Sequence, residues 1–135
     1  MEPLKVMDRL VDAMNRHDID AFIACFHDDY DSVQPLRPSE AFTGSDQARK
    51  NWSLIFESFP DVRGEILRSA SSGDTAWIEL TVTGTRPDGN ALDMRGVIIS
   101  GVVDDRMEWA RLYLEPVFEE GGDIEQGVGD MLEGK

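Results

Sequence analysis

The sequence predicts an α+β domain with three helices packed on one face of a curved antiparallel sheet. Two observations carry that reading. Apolar residues recur at spacings of three and four over the first sixty residues, and from Val62 onward the period changes to two. At 135 residues the chain has the length of a single core.

Each element follows from local pattern. Val6, Met7, Leu10, Val11 and Met14 form one apolar stripe, predicting a helix over residues 4–16. Asp18 is placed to cap a short second helix containing Ala21, Phe22, Cys25 and Phe26. Tyr30 to Gln34 reads as a brief strand, closed by Pro35 and Pro38. Ser45 is expected to cap a third helix, with Ala48, Trp52, Ile55, Phe56 and Phe59 on its apolar face and Pro60 as its stop. Residues 62–70, 75–86, 91–103 and 106–117 then read as long strands in a meander, separated by SSGD, RPDG and DD turns. The order is α-α-β-α-β-β-β-β. Residues 1–118 are expected to form the domain, and residues 119–135, glycine-rich with six acids against one lysine, a mobile tail.

Composition excludes several functions. With 27 acidic and 13 basic residues the net charge is −14, which repels a phosphate backbone or an anionic membrane. Neither nucleic acid nor a membrane is expected as a partner. No apolar run approaches the roughly 18 residues of a membrane span, and the N-terminus lacks a signal-peptide pattern. The expectation is a cytoplasmic protein. Cys25 is the sole cysteine, so no internal disulfide forms.

The segment RHDIDAFIACFHDDYDSVQ, residues 16–34, concentrates His17, His27, Cys25 and five aspartates. It raises the possibility of a metal site. On one helix, however, the two histidines would stand roughly 15 Å apart along the axis, and Cys25 and His27 would point to different faces. No zinc spacing is present either. The aspartates read as a helix cap and a solvated corner, and neither a metal nor another cofactor is expected.

The same segment resembles a known superfamily. A helix, then H-D-I-D-A-F, then F-H-D-D and a short strand, followed by FTGSDQARKNW, ELTVTGT and MRGVIISGVVDDRMEWARLYLE, is similar to the cone-shaped fold of nuclear transport factor 2, ketosteroid isomerases and SnoaL-type polyketide cyclases. The resemblance covers residues 4–118. It implies helices closing over a concave sheet around an apolar pocket, and it is more specific for fold than for activity.

Aligning the isomerase pattern on Asp18–Ala21 places the base position at Gln34, which cannot take a proton. The two donor positions fall on Leu10 and Ile98, and a supporting aromatic on Trp52. The last-strand aspartate common in cyclases and epoxide hydrolases maps to Leu112. Steroid isomerase activity is therefore not expected, and the other two chemistries lose their usual carboxylate.

Alternation on the strands separates two faces. Ala76, Ile78, Leu80 and Val82, with Ala110, Leu112 and Leu114, form purely apolar rows that should face the helices. The pocket is then expected from Leu10, Tyr30, Ser32, Gln34, Trp52, Phe56, Leu80, Met94, Ile98, Ala110, Leu112 and Leu114, with Arg37 at its mouth. The mixed rows carry Trp77, Trp109, Arg111 and Tyr113, an outer face suited to a homodimer.

Three functions remain open. The first is a pocket protein that binds or transforms an apolar small molecule, with Gln34 and Tyr30 orienting it. The second arises if a one-residue register shift exchanges the faces. Glu79, Thr81, Arg95, Arg111 and Tyr113 would then line the cavity, as in a cofactor-independent cyclase or limonene-epoxide-hydrolase-like enzyme. The third is a non-catalytic protein-interaction module, its cavity filled by Trp52, Phe56 and Met94. His27 or Glu115 could act as a base only by swinging in from the rim.

Overall fold

A computed structural model describes residues 2–135. Helix α1 (Pro3–Asn15) starts with proline at its first position, where no intrahelical N–H is needed. It buries Val6, Met7, Leu10, Val11, Ala13 and Met14, which include the predicted stripe.

The chain then turns within three residues. His17 adopts a left-handed φ of 54°, its amide donates to Met14 O (3.0 Å), and the Asp18 amide donates to Ala13 O (3.1 Å). This pairing satisfies the last carbonyls of α1. Asp18 immediately caps α2 (Ile19–Ile23) by accepting from the Ala21 amide at 3.0 Å.

Strand β1 (Phe26–Val33) is longer than the Tyr30–Gln34 strand expected, and Gln34 lies just past its end. A bulge between Phe26 and Asp31 lets the strand begin early while His27, Asp28 and Asp29 stay at least partly solvated. A short 3₁₀ turn (Pro38–Glu40) and β2 (Phe42–Thr43), neither expected, lead to α3 (Ser45–Ser58). The cap of α3 is Gly44 rather than Ser45. Its φ of 103° suits glycine, and its amide donates to Tyr30 O at 2.7 Å, tying the helix entry to β1.

Four long strands follow: β3 (Arg63–Ser72), β4 (Thr75–Thr85), β5 (Ala91–Val103) and β6 (Arg106–Pro116). The turn between β5 and β6 places Asp104 and Asp105 at φ 51° and 63°, as a two-residue hairpin turn of this hand requires. The sheet order is β2-β1-β6-β5-β4-β3. All neighbours are antiparallel except β1 and β6, which run parallel, so the sheet is mixed.

Helices α1–α3 and the inner sheet face enclose the core. Ala76, Ile78, Leu80 and Val82 on β4 are all buried, as their alternation predicts. Complete burial of a side chain such as Ile78 contributes about 1.5–3 kcal/mol. Asn15 clamps α1 to the sheet: its Nδ2 donates to Gly64 O (3.0 Å) and its Oδ1 accepts from Gly64 N (2.7 Å).

Residues 119–135, expected as a mobile tail, contain helix α4 (Ile124–Leu132), which the sequence reading did not assign. Asp123 caps it by accepting from the Gln126 amide at 3.0 Å. Ile124, Val128, Met131 and Leu132 share a helical stripe that the abundance of glycine obscured, and none of α4 is buried. Among the described residues no helix is long and apolar enough to cross a membrane.

Candidate ligand cavity

Between the helices and the inner sheet face lies a cavity of about 200 Å³. Helix α1 contributes Leu10, Val11 and Met14, and α3 contributes Ala48, Asn51, Trp52 and Ile55. Leu80 and Val82 of β4, Ile98 of β5 and Met107, Ala110, Leu112 and Leu114 of β6 form the sheet wall. Phe22, Phe26 and Phe42 add aromatic rings to the lining.

The polar groups come chiefly from one strand. Tyr30 and Ser32 point inward because residues two apart share a face, and Gln34 continues that row beyond the strand's end. Tyr30 and Ser32 are almost fully buried. Burial pushes the Tyr30 phenol up to about 12, a hydrogen bond with Ser32 opposes that rise, and the Asp31 charge adds to it. Tyr30 is thus a neutral hydroxyl at any physiological pH. Among the described residues the Gln34 side chain has no hydrogen-bond partner, so its carbonyl and amide are both available. Asn51 accepts from Gln47 Nε2 through Oδ1 (2.8 Å), leaving its own amide donors.

Among the described residues no Asp, Glu, Lys, Arg or His lines the cavity. Each position assigned by the isomerase and cyclase resemblance does line it, as Gln34, Leu10, Ile98 and Leu112. A proton acceptor of carboxylate or imidazole type is therefore missing from the wall.

Two expected lining residues lie elsewhere. Phe56 turns toward the corner after α1, stacked on His17 with centroids 5.1 Å apart and edge-on to Phe22 at 5.8 Å. Met94 is paired with Val82 and Pro116 near the start of β5 and packs on the core without lining the cavity. The filling of the cavity by Trp52, Phe56 and Met94 that would favour an interaction module is thus not observed.

Some lining residues were not expected. Val11 and Met14 belong to the apolar stripe of α1, and Ile55 and Ala48 to that of α3, so the helical period already marked them. Phe42 sits on the unforeseen β2. Asn51 carries no such signal, since a polar residue beside Trp52 on a helix reads as solvated.

The register settles which residues face outward. Glu79 pairs with Arg68 (2.9 Å), Arg95 with Asp93 (3.3 Å), and the Arg111 guanidinium lies 5.8 Å from the Trp109 ring centroid. None of Glu79, Thr81, Arg95, Arg111 or Tyr113 lines the cavity, so the constellation that a register shift would have created does not exist. On the outer face Trp77 stands opposite Ile99, which stands opposite Arg111, while Val97 stands opposite Tyr113.

The rim residues are occupied. Arg37 grips Glu115 with Nε to both carboxylate oxygens (3.0 Å each) and Nη2 to Oε2 (2.9 Å), which lowers the Glu115 pKa and raises that of Arg37. His27 Nε2 lies 2.8 Å from Val103 O and His17 Nε2 lies 2.8 Å from Val62 O, so each histidine has its own backbone partner. Among the described residues no cluster of His, Cys, Asp and Glu suits a metal. Cys25 is buried, with Arg9 Nη2 at 3.9 Å, and burial pushes its thiol up.

Residues 7–110 match the SnoaL-like domain family. The chain belongs to that family. Among solved structures, AclR from Streptomyces galilaeus, a proposed hydroxylase, superposes with a TM-score of 0.75 at 17% identity, covering 98% of this chain and 92% of its own. Wild-type IdmH from Streptomyces antibioticus, a proposed polyketide cyclase, gives 0.73 at 16% identity, covering 97% and 99%. A proposed SnoaL-like polyketide cyclase from Jannaschia sp. CCS1 gives 0.69 at 19% identity, covering 83% and 84%. At these identities the likeness is one of fold. No curated protein matches the chain.

Proposed function

We propose that this SnoaL-like domain binds an apolar small molecule in its cavity, with Gln34 and Tyr30 orienting a carbonyl or hydroxyl of the ligand. The observation that carries the reading is the wall itself: an apolar enclosure whose polar groups are Tyr30, Ser32, Gln34 and Asn51. Buried hydrogen-bonding groups of that kind fix orientation while apolar contact supplies affinity. Gln34→Ala should weaken binding of a carbonyl probe such as 1-tetralone by about tenfold, the cost of one lost hydrogen bond. Titration calorimetry showing equal affinity for the variant and the parent would remove Gln34 from the site.

A polyketide-cyclase-like activity is the second reading, supported by the proposed cyclases among the structural neighbours. Tyr30 and Gln34 would then donate to a carbonyl oxygen on which charge develops, and the closed wall would hold the chain folded on itself. The wall offers no carboxylate or imidazole to accept the proton, which favours binding over acid-base chemistry. A limonene-epoxide-hydrolase-like mechanism has no support, because Glu79, Arg95 and Arg111 lie outside the cavity.

The same reading includes a homodimer through the outer sheet face, where Trp77, Ile99, Trp109, Arg111 and Tyr113 gather. Trp77 is 38% exposed although it is a large aromatic residue. Light scattering should give twice the chain mass, and Trp77→Glu with Tyr113→Glu should halve it. A monomeric parent at high micromolar concentration would end this part of the proposal.

A further inference from the structure

We infer that the cavity selects neutral molecules of one or two fused rings carrying a carbonyl or hydroxyl group, and rejects both carboxylates and larger ring systems. The inference rests on the pocket reading above and adds a size limit and a charge limit to it.

The size limit comes from the walls. A dry cavity of about 150 Å³ takes one benzene ring, and pockets for drug-sized ligands run from about 300 Å³ upward. The cavity here, at about 200 Å³, falls between them. Its walls resist expansion. Leu80 is 1% exposed, Ala110 3%, Leu10 5% and Ile98 8%, and the sheet residues among them are held by ladder pairing on both sides. Close-packed walls of this kind give way only at a cost in packing.

The charge limit comes from what the wall lacks. A carboxylate entering the cavity leaves its water behind and meets no Lys, Arg or His among the described residues of the lining. Arg37, three residues after Gln34 in the chain, already holds Glu115 through three short contacts. A protein of net charge −14 also repels anions at a distance. A neutral ketone or alcohol meets no such penalty. Gln34 donates through its amide or accepts through its carbonyl, and Tyr30 remains a protonated donor, so either oxygen type finds a partner.

The test is a matched set of probes, 1-tetralone, 1-naphthol, 1-naphthoate and anthrone, titrated by calorimetry and by fluorescence of Trp52 in the cavity wall. 1-Tetralone and 1-naphthol should bind; 1-naphthoate should bind at least about 100-fold more weakly and anthrone at least about 10-fold more weakly. Leu112→Trp, which fills the cavity, should abolish binding of both neutral probes, with Ala110→Leu as the milder variant should the first not fold. Naphthoate or anthrone binding as tightly as tetralone, with that binding lost in the filled variants, overturns the size or charge limit and leaves the pocket standing. If neither neutral probe binds, or if binding survives both filled variants, the pocket reading falls and this inference with it.

Discussion

Tyr30 gives the sharpest physical test of the cavity, because its hydroxyl is enclosed by the same walls that a ligand would meet. The side chain is 4% exposed, and burial pushes its phenol up to about 12. In the unfolded chain a tyrosine titrates near 10. The folded state therefore retains its proton where the unfolded state has lost it, and stability must fall as pH rises through that window. The contribution is complete below about pH 10 and disappears progressively up to about pH 12. The whole gap corresponds to about 3 kcal/mol, of which about 1.4 kcal/mol is lost by pH 11. Tyr30→Phe removes the titrating group. At neutral pH the variant should lose only about 1 kcal/mol, from the missing bond to Ser32, whereas between pH 9 and pH 11 it should lose less stability than the parent by about 1.4 kcal/mol. Urea unfolding at a series of pH values measures this directly, since every other titrating group is common to both proteins. Absorbance at 295 nm in parent minus variant isolates the Tyr30 phenolate, as the chain has two tyrosines and Tyr113 remains in both. A folded phenolate forming near pH 10, or parallel pH slopes for the two proteins, would mean that Tyr30 is open to water and the cavity is not the closed apolar site described.

Three further substitutions test how the fold positions the site. Asn15→Ala leaves Gly64 N and O without their partners and should cost about 1–3 kcal/mol in denaturant unfolding; an unchanged midpoint would show that the clamp is dispensable. Ile78→Ala empties a core position that is 1% exposed and outside the cavity lining. It should cost about 2–5 kcal/mol while leaving 1-tetralone affinity unchanged, and a large affinity loss would show that core and cavity are not separable. Gly101→Ala places a Cβ onto the Trp109 indole, which must then move. The variant should melt at a lower temperature with shifted tryptophan emission, and a parent-like spectrum would contradict the packing of Trp109 across β5.

How much of this was legible in the sequence depended on the range of the interactions involved. The stripe of α1 and the inner row of β4 are read from period alone, because burial on one face imposes it locally. The same alternation on β6 placed Ala110, Leu112 and Leu114 inward, and ladder pairing of Leu112 with Ile98 and Leu114 with Gly96 carries them onto the cavity wall. The start of β1 was not legible, since His27, Asp28 and Asp29 have the composition of a loop and are held in the sheet by a bulge and by β6. Parallel pairing of β1 with β6 joins residues more than seventy positions apart, and no local pattern encodes that. Helix α4 was lost for the opposite reason: Gly127 and Gly129 depress the propensity of a segment whose cap and apolar stripe are nonetheless present. Asn51 could be recognised only once α3 was docked against the strands.

The pairing of β5 with β6 is also what decides the chemistry. With Ile98 opposite Leu112, and Ile99 opposite Arg111, no ionisable side chain of β6 lines the cavity. A slip of one residue would have brought Arg111, Tyr113 and Glu115 inward together, giving a cavity able to hold a water and donate a proton. Instead Glu115 is held by Arg37, Arg111 lies over Trp109, and the inward positions are apolar up to the rim. The chemical possibilities of the site then rest on the row that β1 begins, Tyr30, Ser32 and Gln34, together with Asn51 of α3. A neutral phenol, a hydroxyl and a carboxamide are able to hydrogen-bond an oxygen placed in the cavity, but none of them has the basicity to take a proton from carbon at neutral pH.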